Sequence, residues 1–266
     1  MEEKILILID NSKIMEKVVE YVHTLFEDAT LYLLSVINLG YFANYYSKTV
    51  LNEMKNLSEE SLNKIELFLE SKNAKFQSEI LVGDPVSVLL SYAKRKSVDL
   101  IVLETHAGKS VNKIKIGSTT YNLLVNSRIP VLLLSENLEL KKPEKILHPT
   151  SGSKYSEIAT EETGKLASYW KSEVEVLILR EPKDRIAEKA KDILKTYNIT
   201  PKIEFSEESE INSILKRSEF NDIIIGSRGS PRPTYKMRTI FKTFSLDPTL
   251  KILIAFLPKP LLLICD

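Results

Sequence analysis

One α/β pattern is written twice along this chain of 266 residues. Apolar runs of strand length recur in the same order in both halves of the chain, and each half ends on a proline-led run. The spacing of about 130–140 residues is the length of a domain and exceeds the repeat of a solenoid protein. We therefore expect two similar domains. The matching runs are 4–10 with 145–151, 98–103 with 221–226, and 130–134 with 260–264.

The composition is that of an ordinary soluble globular protein, with 43% hydrophobic and 27% charged residues. A net charge of +1 gives no overall attraction to nucleic acid or to a membrane surface. The run 250–265 is the most apolar, but lysines and prolines interrupt it before it reaches the about 20 residues of a membrane-spanning helix. The single cysteine, Cys265, excludes an internal disulfide, and we expect it to be buried. These features predict a cytoplasmic protein that binds neither nucleic acid nor membranes.

Strand patterns alternate with helical patterns throughout, which predicts doubly wound parallel sheets with five strands in each half. The charged stretch 136–144 separates the halves and predicts domains at 1–137 and 143–266. The helix after the second strand is much longer in the first half than in the second. The predicted strands are 4–10, 31–37, 76–82, 98–104, 130–134, 145–150, 174–180, 201–206, 222–226 and 260–265. The predicted helices include 49–72, 117–126, 153–170, 184–198 and 209–218.

Helix starts are indicated by side chains that accept hydrogen bonds from unpaired amides. Asn11 or Ser12 is expected to cap the first helix. Asp84, followed by Pro85, predicts a capped helix with proline in its first position.

Ligands of open α/β sheets bind beyond the carboxyl ends of the strands, where the strand order reverses. If the first and fourth strands are neighbours, the segments after them meet at that place. The segments are 10–12 and 104–118 in the first half, and 151–153 and 226–239 in the second.

This arrangement resembles the universal stress protein family over essentially the full chain, in tandem. After its fourth strand that family has Gly, two residues, Gly, nine residues, Gly, and then Ser or Thr, and an aspartate ends its first strand. In members that bind ATP, the aspartate and the end of the second strand hold the nucleoside, and the glycine loop holds the phosphates. The resemblance implies an adenine nucleotide alpha hydrolase-like fold, with the fifth strands paired between the domains as an internal pseudo-dimer.

The first half keeps part of this pattern. Asp10 and Gly117-Ser118 match it, whereas Glu104 and Ala107 replace the first two glycines, and Gly108 lies one position late. The resemblance assigns nucleotide contacts in this half to Asp10, Ile37, Ala107, Gly108, Gly117, Ser118 and Thr119.

The second half keeps a different part. Gly226 and Gly229 match the first two glycines, but Ser151 replaces the aspartate and Thr239 replaces the third glycine. Arg228 and three further cations between 232 and 238 favour an anionic ligand. Gly226, Arg228 and Gly229 are therefore the expected ligand contacts in this half.

Glu104 counts against a phosphate ligand in the first half. Two like charges 4 Å apart cost about 4 kcal/mol at an effective dielectric constant near 20. The lysines at 109, 113 and 115 are placed to offset this repulsion.

Two functions remain open from the sequence. The first is a non-catalytic universal stress protein that binds ATP or AMP weakly, with Mg²⁺ accompanying ATP and slow ATP hydrolysis at most. The second is a module for interaction or sensing in which neither cleft binds nucleotide. In both, the chain is a monomeric pseudo-dimer or a homodimer of tandem chains.

Other residues carry less weight. His148 lies in an apolar strand, which favours a hydrogen-bonded core residue. His106 lies near Glu104, but no third ligand is recognisable, so no metal site is expected. The tyrosine-rich segment 41–46 can stack on a bound base, or pack on the following helix or a partner subunit.

Overall fold

The computed structural model describes residues 3–38, 48–105, 116–229, 232–234, 243–256 and 258–265. The chain divides into two compact units. The first unit comprises residues 1–104 and 138–141, and the second comprises residues 105–137 and 142–266. The predicted α/β fold with mainly parallel sheets is confirmed.

The first unit contains four parallel strands in the order β3-β2-β1-β4. The central strand β1 has Ile5, Leu6 and Ile7 fully buried, as expected for a continuous apolar run with helices on both sides. Its elements are β1 (Lys4–Ile9), α1 (Met15–Leu25), β2 (Thr30–Ile37), α2 (Lys48–Ser71), β3 (Lys75–Val82), α3 (Pro85–Lys96) and β4 (Leu100–Glu104).

Of the two side-chain caps predicted for helices of this unit, one is formed. Asp84 accepts a hydrogen bond from the Ser87 amide at 2.9 Å ahead of Pro85, so the predicted cap of α3 is confirmed. The prediction that Asn11 or Ser12 caps α1 is wrong, because α1 begins only at Met15 and has no side-chain cap. The Ser12 amide instead donates to Asp10 Oδ1 at 2.8 Å, which forms a local turn and delays the helix.

The second unit contains a sheet in the order β5-β12-β9-β6-β7-β8. The last five strands of this order are mutually parallel and come from the second half of the sequence, whereas β5 is antiparallel to β12. Its elements are α4 (Ser118–Asn126), β5 (Val131–Leu134), β6 (Lys145–Thr150), α5 (Lys154–Trp170), β7 (Glu173–Ile178), α6 (Lys183–Lys195), β8 (Lys202–Phe205), α7 (Glu210–Ser218), β9 (Ile223–Ser227), β10 (Arg232–Thr234), β11 (Thr243–Ser245), α8 (Pro248–Phe256) and β12 (Leu261–Ile264). Strands β10 and β11 pair separately. As predicted, α6 is much shorter than α2.

Pairing of β5 with β12 confirms that the two fifth strands meet. Leu132 faces Leu262, and every residue of both strands is buried. A strand that is apolar on both faces would be a site of aggregation if its edge stayed exposed, and this pairing covers it. Strand β5, which pairs with β12, and helix α4 before it belong to the second compact unit although they derive from the first half. The domain limits at 1–137 and 143–266 stay a prediction.

His148 and Cys265 of the second unit are buried, as the sequence predicted. His148 is fully buried in β6, and its Nδ1 lies 2.8 Å from the Ile225 carbonyl oxygen while its Nε2 lies 2.9 Å from Thr160 Oγ1. The Ile225 carbonyl can only accept, so Nδ1 carries the proton. Cys265 is also buried. Among the described helices, none is both long and apolar enough to cross a bilayer.

The burial of His148 predicts a dependence of stability on pH. Desolvation lowers the pKa of His148 to about 4. The unfolded chain, with an ordinary histidine pKa near 6.5, binds a proton between pH 6.5 and 4 that the folded chain excludes. The free energy of unfolding should therefore fall as the pH decreases through this window, by about 3 kcal/mol at pH 4 from this residue alone.

Urea unfolding of wild type and His148→Gln at several pH values measures this contribution as the difference between the two slopes. His23→Gln, at a half-buried position of α1, is measured alongside as a second histidine substitution. Equal slopes for wild type and His148→Gln would contradict the prediction.

Candidate functional site

Three strand ends meet at the carboxyl edge of the sheet in the first unit. Strand β1 pairs with β2 on one side and with β4 on the other, so the strand order reverses at β1 as predicted. Asp10 is exposed directly after β1, Ile37 ends β2 and is buried, and Glu104 ends β4 and is half-buried. The first unit thus brings together Asp10 and Ile37, and also Glu104.

The remaining predicted residues of the first half belong to the second unit or lie outside the described residues. Helix α4 begins at Ser118 after Gly117, whose backbone is extended, and no side chain of the described residues caps this start. Gly117 and Ser118 are exposed and Thr119 is half-buried. An uncapped helix start with a glycine before it suits an anion, because its first amides point outward and the helix dipole favours negative charge. Ala107, Gly108, His106 and the segment 41–46 lie outside the described residues.

The second unit has a cleft of about 260 Å³ at the corresponding strand ends, which we name the second cleft. Strand β6 lies between β7 and β9, so the strand order reverses here too. Ser151 follows β6 and Leu179 follows β7. The segment 226–229 comprises the last two residues of β9 and the two residues after it. The cleft is further lined by residues of three helix starts, among them Ser153, Tyr155, Glu210, Asp247 and Thr249.

The start of α8 at this cleft is closed to an anion. Helix α8 begins at Pro248, and Asp247 Oδ1 accepts the Thr249 amide at 2.9 Å. The proline has no amide hydrogen, and the carboxylate of Asp247 takes the position that a phosphate oxygen would need. Gly117 and Ser118 stand at the same place before β5 that Asp247 and Pro248 occupy before β12. Thr239, the expected counterpart of Gly117, lies outside the described residues.

An ion pair lies in the lining of the second cleft. Arg180 Nε donates to Glu210 Oε1 at 2.6 Å, and Thr249 Oγ1 lies 3.4 Å from Glu210 Oε2. Glu210 thereby joins the end of β7 to the start of α8. Arg180, the cation that follows β7, is thus paired with a carboxylate of the protein.

Arg228 also lines the second cleft, but its guanidinium is directed at α4. Nη1 donates to the Leu124 carbonyl at 2.9 Å and to the Ser127 carbonyl at 2.7 Å, and the residue is buried. Gly226 and Gly229 line the cleft as expected, and Gly229 has a φ of +68°, which favours glycine.

Sequence reasoning missed Asp247, Glu210 and Arg180. The pair Asp247-Pro248 has the same capping signature as Asp84-Pro85, which the sequence analysis recognised in the first half. Arg180 and Glu210 lie 30 residues apart, and no local pattern indicates their contact.

The cap of α8 can be tested by substitution. Asp247→Ala removes the side chain that accepts the Thr249 amide, and we expect the free energy of unfolding to fall by about 1 kcal/mol. Asp247→Asn keeps a capping oxygen and should remain within a few tenths of a kcal/mol of wild type. Urea unfolding of both variants measures this, and an alanine variant as stable as wild type would show that the cap is not formed.

The chain is similar to known proteins along its whole length. Universal stress protein MJ0531 of Methanocaldococcus jannaschii is 28% identical over 122 residues, which cover 44% of this chain and 68% of that protein. Universal stress protein MJ0577 of the same organism is 36% identical over 87 residues, covering 31% of this chain and 54% of that protein. A solved universal stress protein from Archaeoglobus fulgidus superposes with a TM-score of 0.80 at 20% identity, covering 99% of this chain and 98% of that one, which shows the fold.

A model of the universal stress protein family matches residues 1–135, which is half of the chain. This chain belongs to the universal stress protein family.

Proposed function

We propose that this chain is a non-catalytic universal stress protein that binds an adenine nucleotide, ATP or AMP, through its first repeat. The observation that carries the proposal is the placement of Asp10 beyond β1, between the ends of β2 and β4, where open α/β sheets bind ligands. Asp10 is the residue that the family uses to hold the nucleoside, and its carboxylate suits the hydroxyl groups of a ribose. Ile37, at the end of β2, supplies an apolar surface beside it.

Phosphate groups are assigned by this proposal to Gly117, Ser118 and Thr119 at the start of α4, together with Ala107 and Gly108. Support comes from the family pattern and from the absence of a side-chain cap at Gly117. Mg²⁺ would accompany ATP by neutralising the phosphates. Another universal stress protein has been solved in complex with cAMP, so cAMP joins the nucleotides to be tested.

We propose that only the first repeat binds nucleotide and that the second cleft does not. In the second cleft Ser151 replaces Asp10, and Asp247 and Pro248 stand where Gly117 and Ser118 allow an anion to approach. Loss of the nucleoside-binding carboxylate and gain of a phosphate-repelling one both lower the affinity for ATP or AMP at this cleft.

The cytoplasm is the proposed location, in agreement with a single, buried cysteine. The proposed assembly is the internal pseudo-dimer, alone or as a homodimer of tandem chains. The competing function, a ligand-free module for interaction or sensing, becomes the conclusion if the wild-type chain binds no nucleotide.

Removal of the Asp10 carboxylate tests the nucleoside contact. Loss of a charge-assisted hydrogen bond costs about 1.5–3 kcal/mol, so Asp10→Ala should weaken ATP and AMP binding by about tenfold or more. Asp28→Ala removes an exposed carboxylate at the amino end of β2, remote from the cleft, and should leave the affinity unchanged.

Isothermal titration calorimetry with ATP, AMP and cAMP, each with and without Mg²⁺, measures these affinities. An unchanged affinity in Asp10→Ala would remove Asp10 from the site. Absence of any binding to wild type at millimolar ligand would sink the proposed function.

Removing the charge of Glu104 should strengthen the binding of ATP. Its carboxylate at the end of β4 opposes a phosphate ligand, and partial exposure to solvent screens this repulsion below the estimate of about 4 kcal/mol for a close pair. Glu104→Gln keeps the shape and removes the charge, so ATP should bind about tenfold more tightly and AMP should gain less. The same titrations measure both gains, and equal affinities for wild type and variant would place Glu104 away from the phosphates.

A further inference from the structure

Arg228 connects the loop of the second cleft to a helix of the first repeat. The residue follows β9, is 7% exposed, and donates from Nη1 to the carbonyl oxygens of Leu124 and Ser127. These carbonyls belong to the C-terminal end of α4 and lie more than 100 residues earlier in the sequence.

The C-terminal end of α4 needs such a partner. The last four carbonyls of a helix have no amide of their own helix to accept from, and a cation there also complements the helix dipole. The Leu123 carbonyl is satisfied by the Ser127 amide at 2.7 Å. The Leu124 carbonyl, one position later, receives Arg228 at 2.9 Å. A guanidinium can donate to both Leu124 and Ser127 in one fixed plane, which an ammonium does less well.

A second contact reaches the same helix from the same cleft. Lys251 of α8 lies with its Nζ 5.6 Å from the centroid of the Tyr121 ring, in the range of a cation–π interaction. Thr249 and Leu253, on the same helix as Lys251, line the second cleft, as Arg228 does. Helix α4 is therefore held at its C-terminal end and along its side by two segments that form the wall of the second cleft.

We propose that Arg228 is a positioning residue for α4, and that the second repeat uses the residues of its own cleft to hold the helix at which the first repeat binds phosphate. The proposal rests on the proposed function in assigning phosphate to Gly117, Ser118 and Thr119. A nine-residue helix is stiff, so fixing its C-terminal carbonyls fixes the direction of its N-terminal amides. The affinity for phosphate at the start of α4 therefore depends on the contacts that Arg228 makes at its other end.

The test compares Arg228→Met, Arg228→Lys and the control Arg217→Met. Arg217 is another partly buried arginine of the second unit, and among the described residues its ion pairs are with Glu175 on β7 and Glu204 on β8. Three quantities are measured for each variant: the affinity for ATP by calorimetry, the hydrogen exchange of the α4 amides by mass spectrometry, and the urea midpoint of unfolding.

We expect Arg228→Met to weaken ATP binding by about tenfold and to accelerate exchange in α4 more than in the remainder of the chain. Arg228→Lys should restore part of both effects. Arg217→Met should lower the urea midpoint by a similar amount and leave both the ATP affinity and the relative exchange of α4 unchanged.

Two results overturn the proposal. One is an Arg228→Met chain that binds ATP as wild type does. The other is acceleration of exchange in α4 that only matches the loss of global stability seen in Arg217→Met. If wild type binds no ATP, the proposed function fails by itself, and the exchange of α4 in Arg228→Met relative to Arg217→Met still decides whether Arg228 positions the helix.

Discussion

The antiparallel pairing of β5 with β12 determines how the rest of the second unit is arranged. The paired residues are leucine and valine without exception, from Leu261 opposite Leu133 to Leu263 opposite Val131, and all are buried. Full burial of one such side chain stabilises a fold by about 1.5–3 kcal/mol, so this short contact outweighs most single polar interactions of the molecule. It also explains why α4, which precedes β5 directly, packs with the second repeat and comes within reach of Arg228.

The two repeats share one strand arrangement but differ in the polar and charged residues at their clefts. Both repeats place a strand between two others so that the strand order reverses, and in both a polar residue directly follows the first strand. At that residue the first repeat has Asp10 and the second has Ser151. At the helix before the fifth strand the first has Gly117 and Ser118, and the second has Asp247 and Pro248. These differences change which charges the two clefts accept, and they leave the sheets intact because the affected residues lie beyond the strand ends.

Much of this arrangement could be predicted from the sequence because its causes are local. The buried run of β1 and the Asp84-Pro85 cap are each contained in a few neighbouring residues. The delayed start of α1 was not predictable in this way, since Asp10 accepts the Ser12 amide and Ser12 Oγ accepts the Ile14 amide, so that turns precede the helix. Arg228 was interpreted as a phosphate ligand because it lies between glycines, and its true partners, the carbonyls of Leu124 and Ser127, have no signature in the sequence. A side chain can be predicted to need a partner, but the fold alone decides which one it finds.

The long sequence separation between α4 and Arg228 also sets an order of events during biosynthesis. When the ribosome has made α4 and β5, it has not yet translated Arg228 or β12. About 100 residues or more separate α4 from Arg228 and β5 from β12. The carbonyls of Leu124 and Ser127 therefore wait for Arg228, and the edge of β5 waits for β12. The contacts that hold the helix to which we assign phosphate binding form only after about 100 further residues have been synthesised.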